Sequence, residues 1–135
     1  RRGGWFGDIG LSVAHARVRA SGAAALLDGL RPAQTPRLSA AASLGWDRAG
    51  RAFSLGVRHV GAQFEDDLNR QRLAPATTVD AFAAWPLWRR LQLVARGENL
   101  LDELVVAGIG GDGSVERATP RSLRLGIRFT GERRP

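Results

Sequence analysis

Apolar and polar residues alternate along much of this chain. Near the C-terminus, Leu123, Leu125, Ile127 and Phe129 interleave with Ser122, Arg124, Gly126 and Arg128. Successive side chains of a strand point to opposite faces, so this segment has one apolar face and one arginine-rich face. The same period recurs upstream and predicts six strands, at residues 5–19, 37–47, 51–63, 77–85, 91–99 and 120–130. In the second, Leu38, Ala40, Ala42, Leu44 and Trp46 share a face. In the third, Phe53, Leu55 and Val57 oppose Ser54, Gly56 and Arg58. In the fourth, Val79, Ala81, Ala83 and Trp85 oppose Thr78 and Asp80.

The predicted connections alternate long and short. Residues 20–36, with Gly22, Gly29, Pro32 and Pro36, read as a long loop in which Ala23–Leu27 could form a helical turn. Asp47-Arg48-Ala49-Gly50 reads as a tight hairpin turn, opened by Asp and closed by Gly. Residues 64–76 form a polar loop, 86–90 a short turn and 100–119 a long glycine-rich loop. This predicts an all-β fold, an antiparallel up-and-down meander of about six strands. Two environments fit it. A soluble β-sandwich or lipocalin-like binding module buries the apolar face under protein. A transmembrane β-barrel turns that face to lipid and keeps the polar face in a wet lumen. Short turns at one rim and long loops at the other are the barrel's arrangement.

The aromatic residues favour the barrel. With the short turns placed at one rim, Trp5, Phe6, Trp46, Phe53, Trp85, Trp88 and Phe129 all fall near it, whereas Phe64 lies at the opposite rim and Phe82 mid-strand. Amphipathic rings prefer the membrane–water boundary, so Trp5, Trp46, Phe53, Trp85, Trp88 and Phe129 are expected to form an interfacial girdle. Arg58, Asp80, Arg96, Glu98, Arg124 and Arg128 all fall on the polar face and are expected to line the lumen, the arginines pairing with Asp80 or Glu98. An arginine on the lipid face near mid-bilayer would cost roughly 2–4 kcal/mol.

Composition narrows the classes further. The 135 residues suffice for one domain. The chain contains no methionine, which is expected of a processed product or a fragment, and its start has no apolar core of a signal peptide. Without cysteine there are no disulfides, thiolate sites or cysteine nucleophiles. No apolar run reaches the ~18 residues of a transmembrane helix. The net charge is +7, and all 20 basic residues are arginine. They are spread singly along the chain, so nucleic acid is not expected as a partner.

The stretch LQLVARGENLLDE, with Glu98, Asn99, Leu100, Asp102 and Glu103, resembles the signature closing the penultimate strand of TonB-dependent outer-membrane receptors. TTVDAFAAWPL resembles the family's strand before it, and Pro120-Arg121 followed by LRLGIRF its closing strand. Pro36-Arg37-Leu38-Ser39 is similar to the proline-led start of an earlier strand. The resemblance covers essentially the whole chain, most specifically residues 77–130. It implies that residues 1–135 are the C-terminal portion of a 22-stranded barrel whose earlier strands and plug domain lie elsewhere. It further implies residence in the bacterial outer membrane, contact with lipid and with the rest of barrel and plug, and engagement of TonB through an N-terminal segment absent here. The cargo would be a scarce nutrient, such as an iron–siderophore complex or cobalamin. Members usually end on their terminal aromatic, whereas residues 131–135 follow Phe129 here.

No catalytic constellation is present, so no enzyme activity and no cofactor are expected. His15 and His59 are read as interfacial or solvated and not as metal ligands, because no partner has ligand spacing. Glu65-Asp66-Asp67 reads as a solvated loop, since it lacks the spacing of a calcium loop. The resemblance makes Glu98, Asp102 and Glu103 structural. The glycine-rich run 108–113 lacks the Lys-Ser/Thr ending of a phosphate loop and reads as a mobile surface loop. The expected external loops, 20–36, 64–76 and 100–119, would carry the ligand contacts.

Overall fold

A computed structural model describes residues 4–129. Six long strands form one antiparallel sheet: β1 (Gly4–Val13), β2 (Leu38–Arg48), β3 (Arg51–Val60), β6 (Ala76–Trp88), β7 (Leu91–Glu98) and β10 (Ser122–Phe129). Each lies beside its neighbour in the order of the chain, giving the expected meander. Two of the three long connections between them carry small hairpins, β4 (Gln63–Phe64) with β5 (Arg72–Leu73) and β8 (Val106–Ile109) with β9 (Val115–Arg117). A 3-10 turn, Gly22–Leu27, occupies the first long loop where the alanine run stands.

Several predicted boundaries shift. The first strand stops at Val13 instead of residue 19. Beyond it the backbone still bonds across, from Ala14 N–H to the Arg37 carbonyl and from Val18 N–H to the Leu30 carbonyl, but no continuous ladder forms. Residues 64–76 and 100–119 are not plain loops, because each folds back on itself as a hairpin. The first tight turn is centred on Ala49-Gly50 and not opened by Asp47, since Asp47 is still paired with Ala52. Ala49 and Gly50 have φ of 52° and 79°. Two consecutive positive φ values make the type I′ geometry that matches strand twist, and Gly50 adopts it without steric cost. The turn expected at 86–90 is shorter, because β6 continues through Pro86 to Trp88. The end of the last predicted strand at Thr130, and the tail 131–135, lie outside the described residues.

Register fixes the faces. Trp5, Trp46, Phe53, Ala83, Ala95 and Leu125 stand opposite one another across all six strands and so share a face. The next row, Phe6, Gly45, Ser54, Phe82, Arg96 and Arg124, lies on the other face. The apolar face therefore carries Leu44, Leu55, Val57, Val79, Leu93, Leu123 and Ile127.

No second layer of the chain covers that face among the described residues. Leu55 is 50% exposed and Leu125 79% exposed. The accessible surface is 10337 Å². A globular monomer of 14.5 kDa would expose about 6,900 Å². The excess is the signature of a single sheet without a core. The best-buried large side chain is Leu73, 2% exposed, and it sits in the loop region. No helix among the described residues is long and apolar enough to cross a membrane, which says nothing about strands.

Candidate functional site: two faces and two rims

The polar face carries an ion-pair knot around Glu98. Its carboxylate lies 3.2 Å from Nε of Arg96 and 3.3 Å from a terminal nitrogen of Arg124, and accepts the Ser122 hydroxyl at 3.2 Å. Arg96 and Arg124 face each other in register, so one carboxylate offsets two like charges. Among the described residues no arginine pairs with Asp80, and the pairing expected there falls to Glu98. Asp80 instead accepts the backbone N–H of Asn99 at 2.8 Å. Asp8 accepts the Ser43 hydroxyl on the same face. Arg58 stands opposite Thr78, and Arg128 opposite Gln92. Thus Arg96, Glu98 and Arg124 come together, while Asp80, Arg58 and Arg128 occupy separate places on that face.

The aromatics gather at the short-turn rim. Trp46 and Phe53 stack with ring centroids 6.0 Å apart, and Phe53 meets Trp85 at 6.1 Å. Trp5 stands opposite Trp46, and Phe129 opposite Leu91. Trp88 would have pointed to the polar face had the strand alternated without interruption. A bulge between Pro86 and Trp88 inserts Leu87, and Trp88 pairs with Leu91 on the apolar face. Bulges re-aim side chains in this way. Phe6 does not belong with this group: it lies on the polar face, with its ring over Gly45. Glycine leaves the strand backbone uncovered, and the ring covers it.

At the long-loop rim, the GENLLDE segment makes a compact knot. Asn99 is 5% exposed and has φ 49°, a left-handed conformation that Asn tolerates better than most residues. Its side-chain oxygen accepts the N–H of Glu103 at 3.0 Å, and its amide donates to the carbonyls of Glu103 at 2.9 Å and Thr119 at 3.3 Å. Leu100 N–H donates to the Val79 carbonyl at 2.8 Å, binding the knot to β6. Asp102 accepts the backbone N–H of Arg121 at 3.1 Å and lies 3.6 Å from its guanidinium. Glu98 and Asp102 make structural contacts through their carboxylates, whereas Glu103 bonds to Asn99 through its backbone.

The first two long loops are locked together. Arg31 N–H donates to the Asn69 side chain at 2.9 Å, and the Asn69 amide returns a bond to the Arg31 carbonyl at 2.8 Å. The Arg31 guanidinium lies 4.6 Å from the centre of the Phe64 ring. Burial and the positive fields of Arg37, Arg17 and Arg72 lower the Arg31 pKa. Asp66 accepts the N–H groups of Gln71 at 2.7 Å and Arg70 at 2.8 Å. The Gln71 bond is the leading cause that holds its carboxyl below the usual range. Among the described residues no group of three or more His, Asp or Glu side chains could hold a metal ion. His59 Nδ1 instead lies 2.8 Å from the Thr77 hydroxyl.

Reasoning from sequence missed Asn99 as the centre of the knot, Asn69 as the loop clasp and the bulge at Leu87. Buried Asn at positive φ leaves no periodic trace, although an Asn beside a strand end is a signal for such a turn.

The comparisons agree with this geometry. No curated protein matches the chain in sequence. The ferric yersiniabactin uptake receptor FyuA of Yersinia pestis aligns with 93% of this chain at a TM-score of 0.80 and 24% identity, the match spanning 21% of that receptor. The siderophore receptor PiuA of Acinetobacter baumannii aligns with 93% at a TM-score of 0.77 and 15% identity, over 19% of its length. The ferric-catecholate import receptor Fiu of E. coli K12, in its closed form, aligns with 93% at 0.75 and 18% identity, again over 19% of its length. The chain thus spans about a fifth of each solved receptor, and at these identities the likeness concerns the fold. The sequence pattern of the TonB dependent receptor-like β-barrel matches residues 2–100, ending inside the GENLLDE segment. This chain belongs to the TonB-dependent receptor β-barrel family.

Proposed function

We propose that residues 1–135 form the C-terminal wall of an outer-membrane β-barrel that imports a scarce nutrient, such as an iron–siderophore complex or cobalamin, with energy coupled through TonB. The observation that carries this reading is the uncovered apolar face. Among the described residues no second layer covers Leu55, Leu93 and Leu125, and burying such a stripe in hydrocarbon is favourable. The outer edges of β1 and β10 have no partner strand among the described residues. Lipid leaves no water to satisfy those backbone groups, so further barrel strands would close the sheet. On this reading Arg58, Asp80, Arg96, Glu98, Arg124 and Arg128 face the lumen and plug. Trp5, Trp46, Phe53, Trp85, Trp88 and Phe129 sit at one membrane boundary. The three long connections are external and contribute ligand contacts.

The soluble β-sandwich or lipocalin-like carrier is not favoured, because it needs a covering layer over these leucines.

The test is to express the complete reading frame in a Gram-negative host lacking its own iron receptors. Membrane-embedded protein and uptake of a ferric siderophore or cobalamin that stops when TonB is deleted are expected. Protein that is folded and monodisperse in buffer without detergent would overturn the reading.

A further inference from the structure

Both short turns are basic. Arg48 and Arg51 flank the first, directly opposite each other, and Arg89-Arg90 forms the second. Arg48 has the parity of Trp46, and Arg51 that of Phe53, so both lie on the apolar face. Like charges directly opposite on a sheet are destabilising. The neighbouring carboxylate, Asp47, is one residue out of phase and lies on the other face.

The turns are also tied together. The Gln92 side-chain amide, on β7, donates to the Gly50 carbonyl at 2.6 Å. The Arg51 guanidinium lies 4.4 Å from the centre of the Trp85 ring, which anchors it on the aromatic group. The bulge at Leu87 brings Trp88 to the same face beside the second turn. Arginine immediately beyond an aromatic belt is placed where lipid phosphates lie.

We propose that this rim, Arg48, Arg51, Arg89 and Arg90 beside Trp85 and Trp88, is a binding surface for the headgroup of an anionic phospholipid. The inference rests on the barrel reading above. A headgroup phosphate between Arg48 and Arg51 removes their repulsion, and the acyl chains lie along the apolar face further down the same two strands, over Leu44 and Leu55. Charge complementarity and the continuous apolar surface leading away from the arginines favour a lipid over a soluble anion.

The experiment uses the protein from its complete reading frame, reconstituted in nanodiscs of phosphatidylethanolamine containing a minority of phosphatidylglycerol. A photoreactive benzoylphenylalanine replaces Leu87, which is exposed in the bulge. Cross-linking to phosphatidylglycerol should exceed its share of the bilayer by at least about tenfold, given the known attraction per surface arginine. Added salt should reduce the excess. The combined Arg48→Gln, Arg51→Gln, Arg89→Gln and Arg90→Gln variant should lose it, and the matching Arg→Lys variant should keep most of it. Should the neutral variant fail to fold, the salt dependence and the lysine variant decide.

Cross-linking to both lipids in proportion to their abundance overturns this proposal and leaves the barrel reading intact. Displacement of the lipid by free glycerophosphate also overturns it, in favour of a soluble anion. No cross-link to any lipid removes the barrel reading and this proposal together.

Discussion

Asn99 and Glu103 exchange two hydrogen bonds: the Asn99 side-chain oxygen accepts the Glu103 N–H, and its amide donates to the Glu103 carbonyl. With further bonds to Thr119 and Asp80, this one residue joins the end of β7 to β6 and to the segment leading into β10. Replacing it by Ala removes the side-chain partner of the Glu103 N–H and of the Glu103 and Thr119 carbonyls and puts a poor residue at positive φ. Asn99→Ala should therefore lower stability by about 2–4 kcal/mol. Urea unfolding of the lipid-reconstituted protein, followed by gel mobility, measures this. Asn99→Gly should recover only the backbone part.

Phe6 and Gly45 make a second prediction. A Cβ added at Gly45 would fall within the space of the Phe6 ring. Gly45→Ala should push the exposed Phe6 ring aside and destabilise by about 0.5–1 kcal/mol. In the Phe6→Ala background the same change should cost much less. A double-mutant cycle on unfolding midpoints reads the difference.

The two faces should respond differently to the same substitution. Leu55→Arg places a charge on the apolar face near mid-strand and should cost roughly 2–4 kcal/mol in a bilayer. Ser54→Arg places it one residue away on the polar face and should cost well under half of that. Equal costs in reconstituted protein would contradict the assignment of the faces.

Asp66 predicts an acid-labile loop. Its carboxyl pKa is lowered from 3.8, first by the Gln71 N–H bond. A lowered pKa means that the ionised form is the one the fold favours. Its contribution is complete above the unfolded value and is lost as pH falls through the lower folded value. Exchange of the Arg70 and Gln71 amide protons should accelerate relative to the sheet below about pH 3.8. In Asp66→Asn it should already be fast at neutral pH. Hydrogen exchange with mass spectrometry distinguishes the two.

The two faces were legible because they follow from parity, and the meander and the aromatic rim because they follow from the alternation of short turns and long loops. A period of two needs only the local backbone, and six strands joined in order leave little topological choice. The departures share a cause. Phe6 lies near the rim, as its height along the strand predicted, and its register with Gly45 puts it on the polar face. Asp80 looked like a partner for arginine, yet a backbone N–H from the next strand's end reached it first. Trp88 reached the apolar face only because Leu87 interrupts the alternation.

Local pattern alone therefore settled that this chain is an antiparallel sheet with one greasy and one charged side. Register, the bulge at Leu87, the Gln92 link between the turns and the clasp between Arg31 and Asn69 arose only on folding. The reason is physical: alternation depends on residues two apart, whereas a hydrogen bond between residues 38 or 42 positions apart depends on how the strands are laid side by side.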